Sequence, residues 1–319
     1  MKKIFIDGSE GTTGLRINER FENRDDIEIM KIPGELRKDP GTIRKFINES
    51  DITFLCLPDA AAREAVSYVE NENVTIIDTS TAHRTEEGWA YGFPELAPAF
   101  REKIRNGKRI AVPGCHATGF ISMVYPLVQK GILPADYPVS SFSISGYSGA
   151  GKKTIAVYED EGRDPLLDAP REYALTQNHK HLKEMQAITG LARKPLFNPI
   201  ISDYYSGMVV GLPLYREMLK GVSSLKEVQE FFAEYYRGEQ FIKVMPFGYE
   251  EEIGGFMSGN ACSGWDGLKL CVTGNDDRII VNAWFDNLGK GASGAAVQCL
   301  NIVLGCEESK GLNLQHDLK

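Results

Sequence analysis

A chain of 319 residues, 42% hydrophobic and 25% charged, is long enough for about two domains whose cores need no disulfide or metal to hold them. Its net charge of −8 argues against nucleic acid and anionic membrane as main partners. A small anionic substrate remains compatible, because local Arg and Lys can grip it. The six cysteines (Cys56, Cys115, Cys262, Cys271, Cys299 and Cys306) form no CxxC pair and are irregularly spaced, which fits a reducing compartment.

The N-terminus enters a strand at once, with no charged region leading into a long apolar segment. No signal peptide is expected, no run is apolar enough for a membrane span, and a cytoplasmic protein is expected. Lys2 to Asp7 reads as a buried strand. Gly8, Ser9, Glu10, Gly11, Thr12, Thr13 and Gly14 follow, then a helix from about Leu15 to Phe21. GxxGxxG on a strand–turn–helix suits a dinucleotide pyrophosphate: glycine allows close approach, and the helix N-terminus supplies N–H groups and positive potential.

Alternation continues with strands over 28–32, 51–57, 75–78 and 109–112 and helices over 42–48 and 60–70. Such alternation predicts a Rossmann-type doubly wound parallel sheet. The second strand ends in Ile32-Pro33-Gly34 rather than in an acid that would bond a ribose hydroxyl, with Arg37 and Lys38 just beyond. Two cations there suit a 2′-phosphate, so NADP is expected over NAD. Asp78 to Arg84 leaves the carboxyl end of the fourth strand, where α/β sheets bind ligands. Ser80 is a candidate there for the cofactor, and Arg84 for a bidentate grip on phosphate or carboxylate.

Pro113-Gly114-Cys115-His116-Ala117-Thr118-Gly119 joins a strand to a helix. The positive end of a helix dipole favours the thiolate of Cys115, the nucleophilic form. His116 is expected to be structural, because consecutive side chains diverge. His83 and His316 are expected as surface or loop residues.

Beyond Gly119 the pattern predicts an α+β domain with a mixed sheet. Strands are expected over 139–145, 194–201, 207–215, 241–245, 268–274 and 278–285, with a helix over 224–236 and a hairpin turn at Asn275-Asp276-Asp277. The glycine-rich basic turn carrying Ser148, Gly149 and Lys152 can hold an anion through backbone N–H groups. His179 and His181 precede a helix around Leu182. Either can move a proton opposite Cys115, with Glu184 fixing its orientation. HxH plus Cys115-His116 contains enough ligand atoms for zinc, but no compact second ligand pair is present and a metal-bound thiolate would lose nucleophilicity, so no metal is expected. Asn287 and the small residues after it allow close backbone approach to a ligand or the sheet. Cys299 and Cys306, seven apart in a helical pattern, predict one buried face. That helix returns to the first domain, so the expected domains are residues 1–117 with 287–319 for the cofactor and 118–286 for catalysis and oligomerisation.

The assembled motifs resemble the N-acetyl-gamma-glutamyl-phosphate reductases, in their shorter form, within the semialdehyde dehydrogenase superfamily. The matching pieces are Gly8-to-Gly14, Asp78-to-Arg84, Tyr91-Gly92-Phe93-Pro94-Glu95-Leu96, Pro113-Gly114-Cys115, Ser148-to-Lys152, His179-Lys180-His181 and Lys290-to-Gly294. Many relatives have Pro where this chain has Lys183, and Ser-Ala-Asp-Phe-Arg where it has Ser80-to-Arg84. The resemblance implies NADPH-dependent reduction of N-acetyl-glutamyl 5-phosphate through a Cys115 thioester, in arginine biosynthesis. A related enzyme acting on another substrate such as aspartyl phosphate is the alternative. The resemblance further implies His181 as acid/base with Glu184 orienting it and His179 nearby, Arg84 and the Ser148-to-Lys152 turn at the substrate's anionic groups, and Asn287 by the nicotinamide. A mixed-sheet second domain often pairs with its own copy, so a homodimer or homotetramer is expected.

Overall fold

The computed structural model describes residues 1–315, so His316 and the end of the expected 287–319 segment lie outside the described residues. Two compact units are present: Met1–Gly114 with Ala292–Leu312, and Cys115–Gly291 with the described residues from Asn313. In chain order the first contributes β1 (Lys2–Asp7), α1 (Thr12–Phe21), β2 (Ile27–Met30), α2 (Pro40–Glu49), β3 (Ile52–Leu55), α3 (Asp59–Ser67), β4 (Thr75–Asp78), β5 (Ala90–Tyr91), α4 (Pro98–Asn106) and β6 (Arg109–Ala111). The second contributes α5 (Cys115–Gln129), β7 (Ser140–Gly146), α6 (Lys152–Tyr158), β8 (Arg171–Glu172), α7 (Leu182–Thr189), β9 (Leu196–Ser202), β10 (Met208–Tyr215), α8 (Leu225–Tyr235), β11 (Ile242–Val244), α9 (Tyr249–Glu252), β12 (Leu268–Gly274) and β13 (Arg278–Phe285). The chain returns to the first unit with α10 (Gly294–Leu304).

The first unit is a parallel sheet of order β2-β1-β3-β4-β6-β5. β1 pairs with β2 on one side and β3 on the other, so the turn after β1 leaves the sheet at its switch point, where open α/β sheets bind ligands. Alternate residues of the strands enter opposite cores. Ile4 and Ile6 join Ile17, Phe54, Ile104, Ala296 and Leu300 on one face, which α1, α4 and α10 cover. Phe5 and Leu55 join Ile47, Ala62 and Ala65 on the other, under α2 and α3. Each buried Ile, Leu or Phe among them contributes about 1.5–3 kcal/mol, and each Ala less. The sequence punctuates these helices: Asp39 accepts the Thr42 N–H at 2.7 Å ahead of Pro40, and Gly305 ends α10 in the left-handed region.

The second unit is a mixed sheet of order β11-β12-β13-β10-β7-β9-β8. β12 and β13 form the antiparallel hairpin expected around 275–277. Asn275 Oδ1 accepts the Asp277 and Arg278 N–H groups at 3.0 and 2.9 Å. Helix α5 is buried along most of its length and packs on β10, β13 and α7.

Several local expectations need correction. Cys306 lies beyond α10 and is half-buried, while Cys299 is fully buried on it, because Gly305 stops the helix before the second cysteine can share its face. Cys56 follows β3 rather than lying in it. The glycine-rich stretch after β7 is a short 3-10 turn over Tyr147–Ala150, and Lys152 already opens α6. The two-residue strands β5 and β8 are too short to leave a period in the sequence.

Candidate active site

In the first unit, the turn after β1 forms a cradle that side chains would fill. Gly8 has φ +81°, and a Cβ there would lie 2.3 Å from the Cys56 carbonyl oxygen; one on Gly14 would lie 2.5 Å from Gly8 O. Gly11 N–H closes the turn on Gly8 O at 2.9 Å. No side chain caps α1 and no acid occupies its first turn, so its N-terminal amides are suited to phosphate. The residues present therefore fit a dinucleotide. Ser9, Thr12 and Thr13 are half-buried in this turn. Arg37 is exposed and forms an ion pair with Glu10 of the same turn, which brings this cation to the cradle; Lys38 is exposed beside it.

The Asp78-to-Arg84 segment is knotted around a fully buried carboxylate. Asp78 accepts Ser80 N–H and Ser80 Oγ–H, each at 2.8 Å, and lies 2.6 Å from His83 Nδ1. His83 lies in a loop, one of the two expected placements, but not at the surface: its ring is buried and stacks on Trp89 with centroids 4.1 Å apart. Only the fold brings the partners five residues before and six after onto its two sides. Arg84 is also buried; its Nε and Nη2 donate to Val112 O at 2.8 Å and Thr79 O at 3.0 Å, bracing the segment against the strand end that leads to the nucleophile.

In the second unit, Cys115 is half-buried at the first position of α5. A Cβ on Gly291 would lie 3.0 Å from the Cys115 Cβ, so the Gly291 backbone borders the nucleophile. The next residue gathers the histidines. The buried His116 ring lies 5.3 Å from that of His179 and 5.6 Å from that of His181, and those two are 4.7 Å apart, edge to face. His181 is buried just ahead of α7, where its backbone N–H donates to His179 Nδ1 at 3.1 Å. Glu184 is buried in the first turn of α7. His116 spans Ser143 Oγ and Tyr173 OH, each at 2.7 Å. Burial, with His179 and Lys180 adding repulsion, pushes its pKa down to about 3, so the imidazole is neutral near pH 7. Burial likewise raises the Tyr173 phenol, with the Cys115 charge adding to the rise.

Asn287 is buried. Its amide donates to Ser148 Oγ at 3.0 Å and accepts Gly207 N–H at 2.8 Å. It thus ties the Ser148–Gly149 turn to the strand end before β10. Ser148 is buried, while Gly149 and Lys152 are exposed. Residue patterns do not single out Tyr173 or Ser143. Tyr173 meets His116 across 57 residues of chain, and Ser143 is one hydroxyl among several in an alternating strand, so neither carries a local signal.

The first unit matches the semialdehyde dehydrogenase NAD binding domain over residues 2–106, and the second matches the semialdehyde dehydrogenase dimerisation domain over residues 115–287. The chain is similar to aspartate semialdehyde dehydrogenase II of Vibrio cholerae, in its complex with ASA, with a TM-score of 0.71 at 14% identity over 96% of this chain and 98% of that one. It is equally similar to the aspartate semialdehyde dehydrogenase of Francisella tularensis, with a TM-score of 0.71 at 16% identity over 95% and 100%. At that identity the likeness is one of fold. In sequence it is 46% identical over 318 residues to N-acetyl-gamma-glutamyl-phosphate reductase 2 of Nostoc sp., covering 97% of this chain and 99% of that protein. Against N-acetyl-gamma-glutamyl-phosphate reductase of Brucella ovis the identity is 46% over 307 residues, covering 95% and 99%. With the glycine cradle, the helix-borne cysteine and the gathered histidines all inside matched segments, the chain belongs to the N-acetyl-gamma-glutamyl-phosphate reductases of the semialdehyde dehydrogenase family.

Proposed function

We propose that this chain reduces N-acetyl-glutamyl 5-phosphate to N-acetylglutamate 5-semialdehyde and phosphate, an NADPH-dependent step of arginine biosynthesis. The observation that carries the reading is Cys115 at the head of α5 with the rings of His179 and His181 gathered around that of His116, the residue that follows it. The Cys115 thiolate attacks the acyl carbon. The carbon–oxygen bond to phosphate breaks, phosphate leaves with that electron pair, and a thioester remains on Sγ. When bound, NADPH supplies the hydride that reduces this thioester. The resulting thiohemiacetal on Cys115 loses its hydroxyl proton, the carbon–sulfur bond breaks, and the thiolate is released with the aldehyde. His181 is the acid/base that donates this proton to the thiohemiacetal oxygen as it forms and takes it back as the carbon–sulfur bond breaks, with Glu184 orienting it and His179 beside it. Arg84, Ser148, Gly149 and Lys152 hold the substrate's anionic groups. Gly8, Ser9, Gly11, Thr12, Thr13 and Gly14 hold the pyrophosphate, Arg37 and Lys38 the 2′-phosphate, and Ser80 and Asn287 border the remainder of the cofactor.

The protein works as a homodimer or homotetramer in the cytoplasm. The dimerisation-domain match supports the oligomer, and six cysteines outside any disulfide support a reducing compartment. Phosphate-dependent NADP reduction tests the substrate: N-acetylglutamate semialdehyde is turned over and aspartate semialdehyde is not. Cys115→Ser abolishes reduction while NADPH still binds, because a hydroxyl is a far weaker nucleophile near pH 7; retained turnover overturns the mechanism. His181→Ala lowers kcat by about 10²–10⁴-fold, the usual worth of a positioned acid/base. A worse loss in His179→Ala would exchange the two roles.

A further inference from the structure

We propose that His116 is a positioning residue for this reaction: through Tyr173 it clamps the segment that bears His179 and His181 to the helix that presents Cys115. The inference rests on the thioester reading above and concerns how the acid/base is held. Between β8 and α7 the chain runs through residues 173–181 with no regular structure. Two of its residues, Ala174 (φ 53°) and Gln177 (φ 56°), are the non-glycine residues in the left-handed region among the described residues. Such conformations persist where surroundings over-determine them, and they cluster at functional sites.

Two anchors hold this segment. Gln177 pairs both ends of its amide with the backbone of Phe197, donating to Phe197 O at 2.8 Å and accepting Phe197 N–H at 2.9 Å. Tyr173 OH lies 2.7 Å from His116 Nε2, and His116 Nδ1 lies 2.7 Å from Ser143 Oγ in the central sheet. The line from Ser143 to Tyr173 therefore runs through the residue next to the nucleophile. His116 also packs edge-on against His179 and Phe197, at 5.3 Å each.

A neutral imidazole has one N–H and one bare nitrogen, so it donates one of these bonds and accepts the other. The low pKa of His116 and the raised pKa of the Tyr173 phenol keep both groups neutral through the working range. The link thus orients the loop without placing a fixed cation beside His179 and His181. Cutting it leaves buried polar atoms unpaired and frees one end of a strained segment. A displacement of about 1 Å at an acid/base can cost on the order of 10²-fold in rate.

The test exploits the geometry of amides. Asparagine places its amide near the Nδ1 position and keeps the Ser143 side; glutamine places it near Nε2 and keeps the Tyr173 side. Tyr173→Phe removes only the hydroxyl. Tyr173→Phe and His116→Asn should each lower kcat by about 10- to 100-fold with KM for the acyl phosphate changed by less than about threefold. The double variant His116→Asn/Tyr173→Phe should be no slower than the worse single one, because both cut the same bond. His116→Gln should recover most of the lost kcat. NADPH binding and thermal midpoint serve as folding controls. Wild-type turnover in Tyr173→Phe, additive losses, or His116→Gln as slow as His116→Asn would each overturn the clamp. Cys115→Ser assayed alongside separates the two levels. If it is inactive while Tyr173→Phe is unimpaired, only the clamp is wrong; if it stays active, the thioester reading itself fails.

Discussion

Asp7 shows how one buried carboxyl makes stability depend on pH. It ends β1, and burial pushes its pKa up to about 6, with the Gly8 N–H opposing the rise. The folded state therefore binds this proton more tightly than the unfolded chain, whose value is near 4. Its contribution is fully present below about pH 4 and is lost as pH rises through about 6. Asp7→Asn should raise the unfolding free energy by roughly 1–3 kcal/mol at pH 8 and by almost nothing at pH 4. Thermal melts at the two pH values check this, and an equal gain at both would refute the burial argument. Gly291 makes a different demand. A methyl there meets Cys115 Cβ at 3.0 Å and Asp286 O at 3.2 Å, so one side or the other has to shift. Gly291→Ala should lower kcat by about tenfold or more, since a nucleophile moved by part of an ångström loses its attack geometry. Steady-state kinetics with the thermal midpoint measured in parallel separate displacement of Cys115 from general destabilisation.

At the scale of an element, the turn between β1 and α1 is the part most sensitive to a single methyl. Alanine at Gly8 is strained by its φ of +81° and blocked by backbone, the Cys56 carbonyl lying 2.3 Å from the new Cβ. Backbone cannot rotate aside as a flexible side chain can. Gly8→Ala should therefore weaken NADPH binding by an order of magnitude or more and lower the thermal midpoint, costing about 1–3 kcal/mol. Cofactor fluorescence titration reads the first effect, and wild-type affinity would show that the cradle is not the pyrophosphate site. Helix α5 places Cys115 by another logic. It is buried along most of its length and packs on β10 and β13, so its first residue is held by a core rather than by a surface loop.

For the whole molecule, the discontinuous first unit is the governing feature. Helix α10 supplies Ala296, Val297, Leu300 and Ile302 to the same core as β1 and α1. Its Asn301 accepts a hydrogen bond from the buried Arg24 at 2.8 Å, while Arg24 pairs bidentately with Asp26 at 2.7 Å. Asn301→Ala leaves part of a buried guanidinium without its acceptor and should cost about 1–3 kcal/mol, read as a shifted denaturation midpoint with the slope unchanged. The Arg24 guanidinium holds Asp26 well below the usual carboxylate range. The contribution of that pair is present above about pH 4 and lost as pH falls towards the folded value, opposite in sign to Asp7.

The parallel unit, the mixed-sheet unit, the returning helix and the family are legible in the order of residues along the chain. These rest on signals that are local in the chain: strand and helix periods, a glycine turn within the first fourteen residues, a cysteine between a strand and a helix. Partner choice comes only with folding. His83 sits in a loop yet is buried, because Asp78 and Trp89 close on it. Asn287 spends its amide on Ser148 and Gly207, 139 and 80 residues away. His116 meets Tyr173 across 57 residues. A side chain's period along the chain follows from its own backbone, whereas the atom that satisfies its polar end is chosen by chain closure, and closure leaves no trace in neighbouring residues.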